Sequence, residues 1–391
     1  MKKAILCLIV TVLSLPLFSQ LLTWAPNFPL ESTSSFQITL NDASKGNAAL
    51  NFYTPTSDVY VHTGVITNLS TSNSDWKYVR PGNFNTAVFA LNAPYVASSF
   101  PSKWKFTIPG VIRTYYGLTN PAETIQKIAI LFRNGLGTKV QRNTDGSDMF
   151  IPISDGSLKV KFTTPNFQPT YIPAPETITK AIGDNIAVTA VASSTPANTT
   201  MTLYFNGTPV ATQSGVATIS ASPTVAVSGT QVVVAEAFDG VTTKKDTLRF
   251  FVPGSTTVQA LPAGVKNGIN YHADNTTATL VLYAPGKSRV TVIGDLPSSN
   301  WAEQSQYQLK KTPDGNYWWI TLTGLTPGTE YAFQYLVDGT LKIGEAYAEK
   351  ILDPWNDQYI SSTTYPALKP YPAGLTSGVV SVLQTAAPAY N

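Results

Sequence analysis

Short alternating segments closed by Asx-Gly dipeptides constrain this chain more than any other feature. Across Asp58–Gly64, Lys159–Phe162, Thr200–Phe205 and Arg289–Ile293 apolar and polar residues alternate with period two, the pattern of a strand buried on one face. Asp145-Gly146, Asp155-Gly156, Asn206-Gly207, Asp239-Gly240, Asp314-Gly315 and Asp338-Gly339 separate such segments, and an Asx-Gly pair supplies the left-handed backbone of a tight hairpin. Helical patterning is confined to one turn at Pro121–Ile125. The expectation is an all-β chain with three β-sandwich, immunoglobulin-like domains in tandem.

Composition narrows the chemistry. Only 13% of the 391 residues are charged, and 26 Lys and Arg against 23 Asp and Glu leave a formal charge of +3. No basic stripe exists for a phosphate backbone, so nucleic acid is not an expected partner. Residues 1–19 read as a secretory signal peptide, with Lys2 and Lys3, the apolar run Ala4–Leu17 and small Ser19 at the cleavage position. The run is shorter than the ~20 residues that cross a bilayer and no later stretch approaches that length, so no membrane span is expected. The expected location is extracellular, as a bacterial secreted protein. Cys7, the only cysteine, lies in this leader behind Leu6 rather than a small residue, which argues against lipid attachment. The mature chain therefore has neither disulfide nor thiolate metal site, and no cofactor is expected.

Pro-rich joints at Thr164–Glu176 and from Val252–Ser255 to Leu261-Pro262 mark domains over 20–170, 176–253 and 262–372, with 373–391 as a connector. The middle stretch has no Trp, no His and only Glu176 and Glu236 as glutamates. It resembles bacterial immunoglobulin-like modules and reads as a spacer, a binding module being the alternative.

Gly264-Val265, Tyr283-Ala-Pro-Gly286, Val290–Pro297, Trp301, Asp314–Trp319, Leu325–Phe333, Val337-Asp-Gly339 and Asp353–Asn356 follow one another in the third domain. In order and spacing they are similar to the N-terminal β-sandwich of glycoside hydrolase family 13, which is related to the family 48 carbohydrate-binding modules. Leu352–Trp355 and the tail resemble secreted α-amylases of the Bacteroidetes type. The resemblance implies a catalytic (β/α)8 barrel as the partner that would come next. The acids here, Asp295, Asp314, Asp338, Asp353 and Asp357, sit on turns rather than as a facing pair, so the chain as given is not expected to be an enzyme. Trp301 matches the first glucan-contacting position of family 48, Gln334 stands where that family has a Lys, and Thr340-Leu341 where it has a second Trp. Glucan binding and docking on the barrel both stay open for this domain. Trp318 and Trp319 are adjacent on a strand, which predicts one in the core and one exposed.

In the first domain Leu50–Thr54, Asp58–Thr67, Asp75–Tyr78, Ile128–Gly135 and Asn143–Asp148 resemble starch-binding modules of families 25 and 26, β-sandwiches that hold malto-oligosaccharides on Tyr and Trp faces. With Val59 and Val61 in the core, Tyr60 and His62 share the outer face, and Trp76 and Tyr78, alternate residues of a neighbouring segment, extend it. The rings form either a sugar platform or the cover of a small core. His62 has no Cys or His partner, and Asn143–Asp148 lacks the order of a calcium loop, so neither is expected to hold a metal. The expected carbohydrate-binding residues are Tyr60, His62, Trp76, Tyr78, Trp301 and Gln334. The expected partner is α-glucan, bound by the non-catalytic N-terminal part of a secreted α-amylase; the competing reading is a stand-alone extracellular glycan-binding or adhesion protein.

Overall fold

Nearly every segment read as alternating is a strand, and the outcome is almost entirely β. The computed structural model describes residues 20–82, 91–98, 102–165, 178–193 and 199–387; the expected leader and most of the joint at 164–176 lie outside the described residues. The chain divides into two compact units, residues 1–157 with 163–172, and residues 158–162 with 173–391.

In the first unit β1 (Leu22–Ala25), β2 (Gln37–Leu40) and β5 (Trp104–Thr107) form one antiparallel sheet in the order β1-β2-β5. The other sheet runs β4 (Lys77–Arg80), β3 (Val59–Thr67), β6 (Ile125–Asn134), β7 (Val140–Gln141), and β8 (Met149–Pro152) also pairs with β6. Ile38, Leu40, Trp104 and Phe106 of the first sheet meet Val59, Val61, Ile128, Ile130 and Phe132 of the second in a single core, which makes this unit a sandwich. Each fully buried aliphatic side chain in that layer contributes roughly 1.5–3 kcal/mol. The helical turn is at Ile112–Tyr116, closed by Gly117 in the left-handed conformation, and not at Pro121–Ile125. Two rings of Ile112–Tyr116 decide this: Tyr116 is buried in the sandwich core and Tyr115 packs against it.

The second unit holds two further pairs of sheets. Strand Val160–Thr164, expected within the first domain, is instead hydrogen-bonded beside Val188–Ala192, whose other neighbour is Thr218–Ala221. The second sheet runs Thr208–Ser214, Thr200–Phe205, Gly229–Phe238, Thr243–Val252; Asn206-Gly207 turns the hairpin between the first two and Asp239-Gly240 that between the last two, as expected. Beyond them Gly268–Tyr271, Ala278–Tyr283, Tyr317–Leu322 and Lys310-Lys311 form one sheet of the last sandwich. Val290–Gly294, Glu330–Val337, Val380–Gln384 and Lys350–Leu352 form the sheet facing it across Leu280, Val292, Trp318, Phe333 and Tyr335.

Two expectations are corrected here. The connector read over 373–391 contains a buried central strand, Val380–Gln384, which pairs with Glu330–Phe333 on one side and Lys350–Leu352 on the other. Trp318 and Trp319 do face opposite sides, yet they are 0% and 4% exposed. The outer ring is roofed by the incoming chain: Trp319 Nε1 donates to the Gln259 carbonyl at 3.0 Å, and the Lys310 ammonium sits 4.5 Å from the ring centre.

Candidate functional site: a trench on the outer face of the first unit

Period two places Val59 and Val61 in the core and leaves Tyr60, His62 and Gly64 on the outer face of β3. The β6 residues opposite them are Arg133, Leu131 and Ala129, and Ala129 in turn faces Phe150 of β8. Gly64 and Ala129 carry almost no side chain, which leaves room for a neighbouring segment to lie on the sheet. A Cβ added at Gly64 would lie 3.3 Å from Trp76 Cε3 and 3.0 Å from the Lys77 carbonyl oxygen, so the absence of a side chain here is what lets Trp76 lie down on the sheet. Trp76 then stacks on His62, ring centroids 5.7 Å apart and planes 24° apart.

Tyr78 does not join them. Thr63 pairs with Arg80 and Val65 with Lys77, so one residue of β3, Gly64, opposes two of β4, Tyr78 and Val79. This β-bulge puts Tyr78 at φ +52°, and Val79 takes its place beside Trp76, 3.3 Å from the Gly64 Cβ position. The Tyr78 hydroxyl donates to buried Glu123 at 2.7 Å, and Glu123 also accepts from Thr67 Oγ1 at 2.8 Å. Tyr60 is on the predicted face but outside the trench, paired with Asn92 beside buried Arg133.

Two cavities adjoin along this face. One, of about 510 Å³, is lined by His62, Trp76, Val79 and Leu131; the other, of about 420 Å³, by Asn73, Asn143, Ser147 and Phe150. Ser74, Arg142 and Asp148 line both, so the two form one trench between the 71–76 loop and the hairpin at 142–148. Arg142 Nη1 is hydrogen-bonded to Asp148 Oδ1, and Lys77 pairs with Asp75 at 2.9 Å. Burial and, secondarily, the positive charge of Arg133 pull the His62 pKa down to about 4, so the imidazole is neutral near pH 7. The trench thus offers apolar ring faces flanked by hydrogen-bonding groups whose charges are already neutralised, the surface a sugar ring needs.

A larger cavity of about 820 Å³ lies elsewhere in this unit and has no aromatic ring in its lining. Its charged groups are engaged: Glu31 pairs with Arg113 at 2.5 Å and also accepts from the Ile125 amide, and Asp155 accepts from the Ser157 amide and hydroxyl.

The residues expected in the third domain are internal. Trp301 is 9% exposed and packs with Ile293, Leu352, Val380 and Val382 beneath Leu368 and Tyr371. Gln334, 1% exposed, donates to the carbonyls of Ser377 and Val379 at 2.9 and 2.8 Å and accepts from Thr376 Oγ1 at 2.6 Å. Both are corrected as glycan contacts in this structure: the chain's own 368–379 segment occupies the face they would present. Arg142, Asp148 and Phe150 line the trench without being among the expected residues, although Phe150 alternates with core residues Met149 and Ile151 and opposite charges bracket the Asp145-Gly146 turn. Among the described residues no group of three His, Cys, Asp or Glu is placed to hold a metal ion, and no helix is long and apolar enough to cross a membrane.

Residues 266–356 match the family of carbohydrate-binding module 48, described as the isoamylase N-terminal domain, in agreement with the resemblance read over Gly264–Asn356. The third domain therefore carries the signature of a carbohydrate-binding module. No curated protein matches the chain. Among solved structures, it is similar to the fibronectin(III)-like modules of Clostridium thermocellum CbhA, with 13% identity over 59% of this chain and 93% of that one and a TM-score of 0.19. It is also similar to the group B Streptococcus pullulanase SAP in complex with maltotetraose, with 11% identity over 47% of this chain and a TM-score of 0.20, spanning 25% of that chain. For Bacteroides uniformis β-glucuronidase 3 the identity is 10% over 55% of this chain and 30% of that one, at a TM-score of 0.21.

Proposed function

We propose that this chain targets α-glucan, binding starch-type chains in the trench of the first unit, as the non-catalytic N-terminal part of a secreted family 13 α-amylase. The observation that carries the reading is the Trp76–His62 stack, set in a trench whose rim can both donate to and accept from hydroxyls. A pyranose ring stacks its apolar face on the indole and turns its hydroxyls to Arg142, Asp148 and Ser74. The family 48 match over 266–356 supports association with an α-glucan enzyme, whose catalytic barrel is the proposed partner of the third domain. Since Trp301 and Gln334 are engaged internally, that domain serves as a docking element and the first unit supplies the affinity.

Affinity electrophoresis of residues 20–391 in gels containing soluble starch tests this. Retardation that is lost in Trp76→Ala is expected. Retardation equal in wild type and variant would remove the trench from the reading, and no retardation of the wild type would remove the glucan.

A further inference from the structure

The trench holds more than its Trp76 end accounts for. Phe150, on β8 opposite Ala129, walls the second cavity, while His62 and Leu131 line the first beside Trp76. At the junction of the cavities stand Ser74, Arg142 and Asp148, a hydroxyl, a donor fork and a double acceptor. Deeper in the second cavity the buried Asn143 amide donates to Ser147 Oγ at 3.0 Å and to the Asp148 carbonyl at 2.8 Å, while its Oδ1 accepts no hydrogen bond. A buried acceptor without a donor costs free energy that a ligand hydroxyl can recover. Each carboxylate here is already paired with a cation, Asp75 with Lys77 and Asp148 with Arg142, and the Lys127 ammonium, 5.6 Å from the Phe150 ring centre, donates to Asn73 Oδ1 at 3.0 Å, so the cations beside the trench are already engaged and give an anionic sugar little advantage.

Resting on the glucan reading above, we infer that the trench is a site for at least two consecutive rings of an uncharged glycan, one on Trp76 and the next against Phe150, with Arg142 and Asp148 reading the hydroxyls between them. Phe150 and Arg142 determine chain-length preference; Trp76 determines whether sugar binds at all.

Calorimetric titration of residues 20–391 with glucose, maltose, maltotriose and maltoheptaose, and with polygalacturonate as the anionic polymer, tests the inference. In the wild type, affinity rises about tenfold or more between one ring and two or three, and polygalacturonate does not bind. Phe150→Ala removes most of that rise. Phe150→Leu, which keeps apolar volume but not a flat face, does the same with the melting temperature maintained. A rise untouched by either variant, or polygalacturonate binding comparable to maltoheptaose, overturns the two-ring neutral site. If the wild type binds none of these glucans the glucan reading itself fails, and if Trp76→Ala leaves every titration unchanged its placement in the trench fails, so the failures are told apart by which titration or variant is silent.

Discussion

The His62 imidazole lies nearly parallel to the Trp76 indole, ring centroids 5.7 Å apart, on a strand and a loop that the sequence separates by fourteen residues. The stack exists because Gly64, two residues along β3, leaves room for the indole, and the burial that results holds His62 neutral. Each condition can be removed separately.

Protonation removes the second. The His62 pKa is about 4 in the folded chain against about 6.5 unfolded, so between these values the unfolded state binds the extra proton. The stability that neutral His62 contributes is full above pH 6.5 and declines as pH falls toward 4. An NMR titration, assigned with a His272→Gln variant because the chain has only two histidines, should show His62 titrating near 4. The melting temperature should fall between pH 6.5 and 4.5. A His62 midpoint at 6 or above would contradict the burial seen here.

Gly64→Ala removes the first. Its Cβ meets the Lys77 carbonyl at 3.0 Å and the Trp76 ring at 3.3 Å, so β4 or the indole must move. Overpacking of this kind costs about 1–3 kcal/mol, read from chemical denaturation, and starch retardation should weaken with it. Unchanged stability and binding would show that Trp76 is not held against the sheet.

Tyr78→Gly should spare binding. Glycine adopts φ +52° without strain, which offsets part of the lost hydrogen bond to Glu123, and stability should change by about 1 kcal/mol or less. Starch retardation lost to the same degree as in Trp76→Ala would return Tyr78 to the site.

Gln334→Leu should loosen the third domain without touching glucan affinity. Two carbonyls, of Ser377 and Val379, lose their donor, at a cost of about 1–3 kcal/mol, and the 368–379 segment should become the first site cut in limited proteolysis. Cleavage at an unchanged rate would mean that the Leu368 and Tyr371 packing alone holds it.

What the amino-acid order determined by itself is whatever depends on near neighbours. Alternation with period two sent Val59 and Val61 inward and Tyr60 and His62 outward, and the Asx-Gly pairs placed hairpins at Asn206-Gly207, Asp239-Gly240 and Asp338-Gly339. Ordered motifs spread over Gly264–Asn356 were enough to show the likeness to carbohydrate-binding module 48 there. The tertiary structure decided what covers what. A one-residue bulge opposite Gly64, invisible in β4's own pattern, took Tyr78 off the face and put Val79 on it. Segments far along the chain roofed two rings, Gln259 over Trp319, which alternation alone would expose, and Leu368 with Tyr371 over Trp301, which the family 48 resemblance implied as a glucan contact. The Arg142–Asp148 pair and Phe150 entered the site only because β6 brings the 142–150 hairpin beside β3. Period two says which way a side chain points, and only the packing of distant segments says whether water or protein is waiting there.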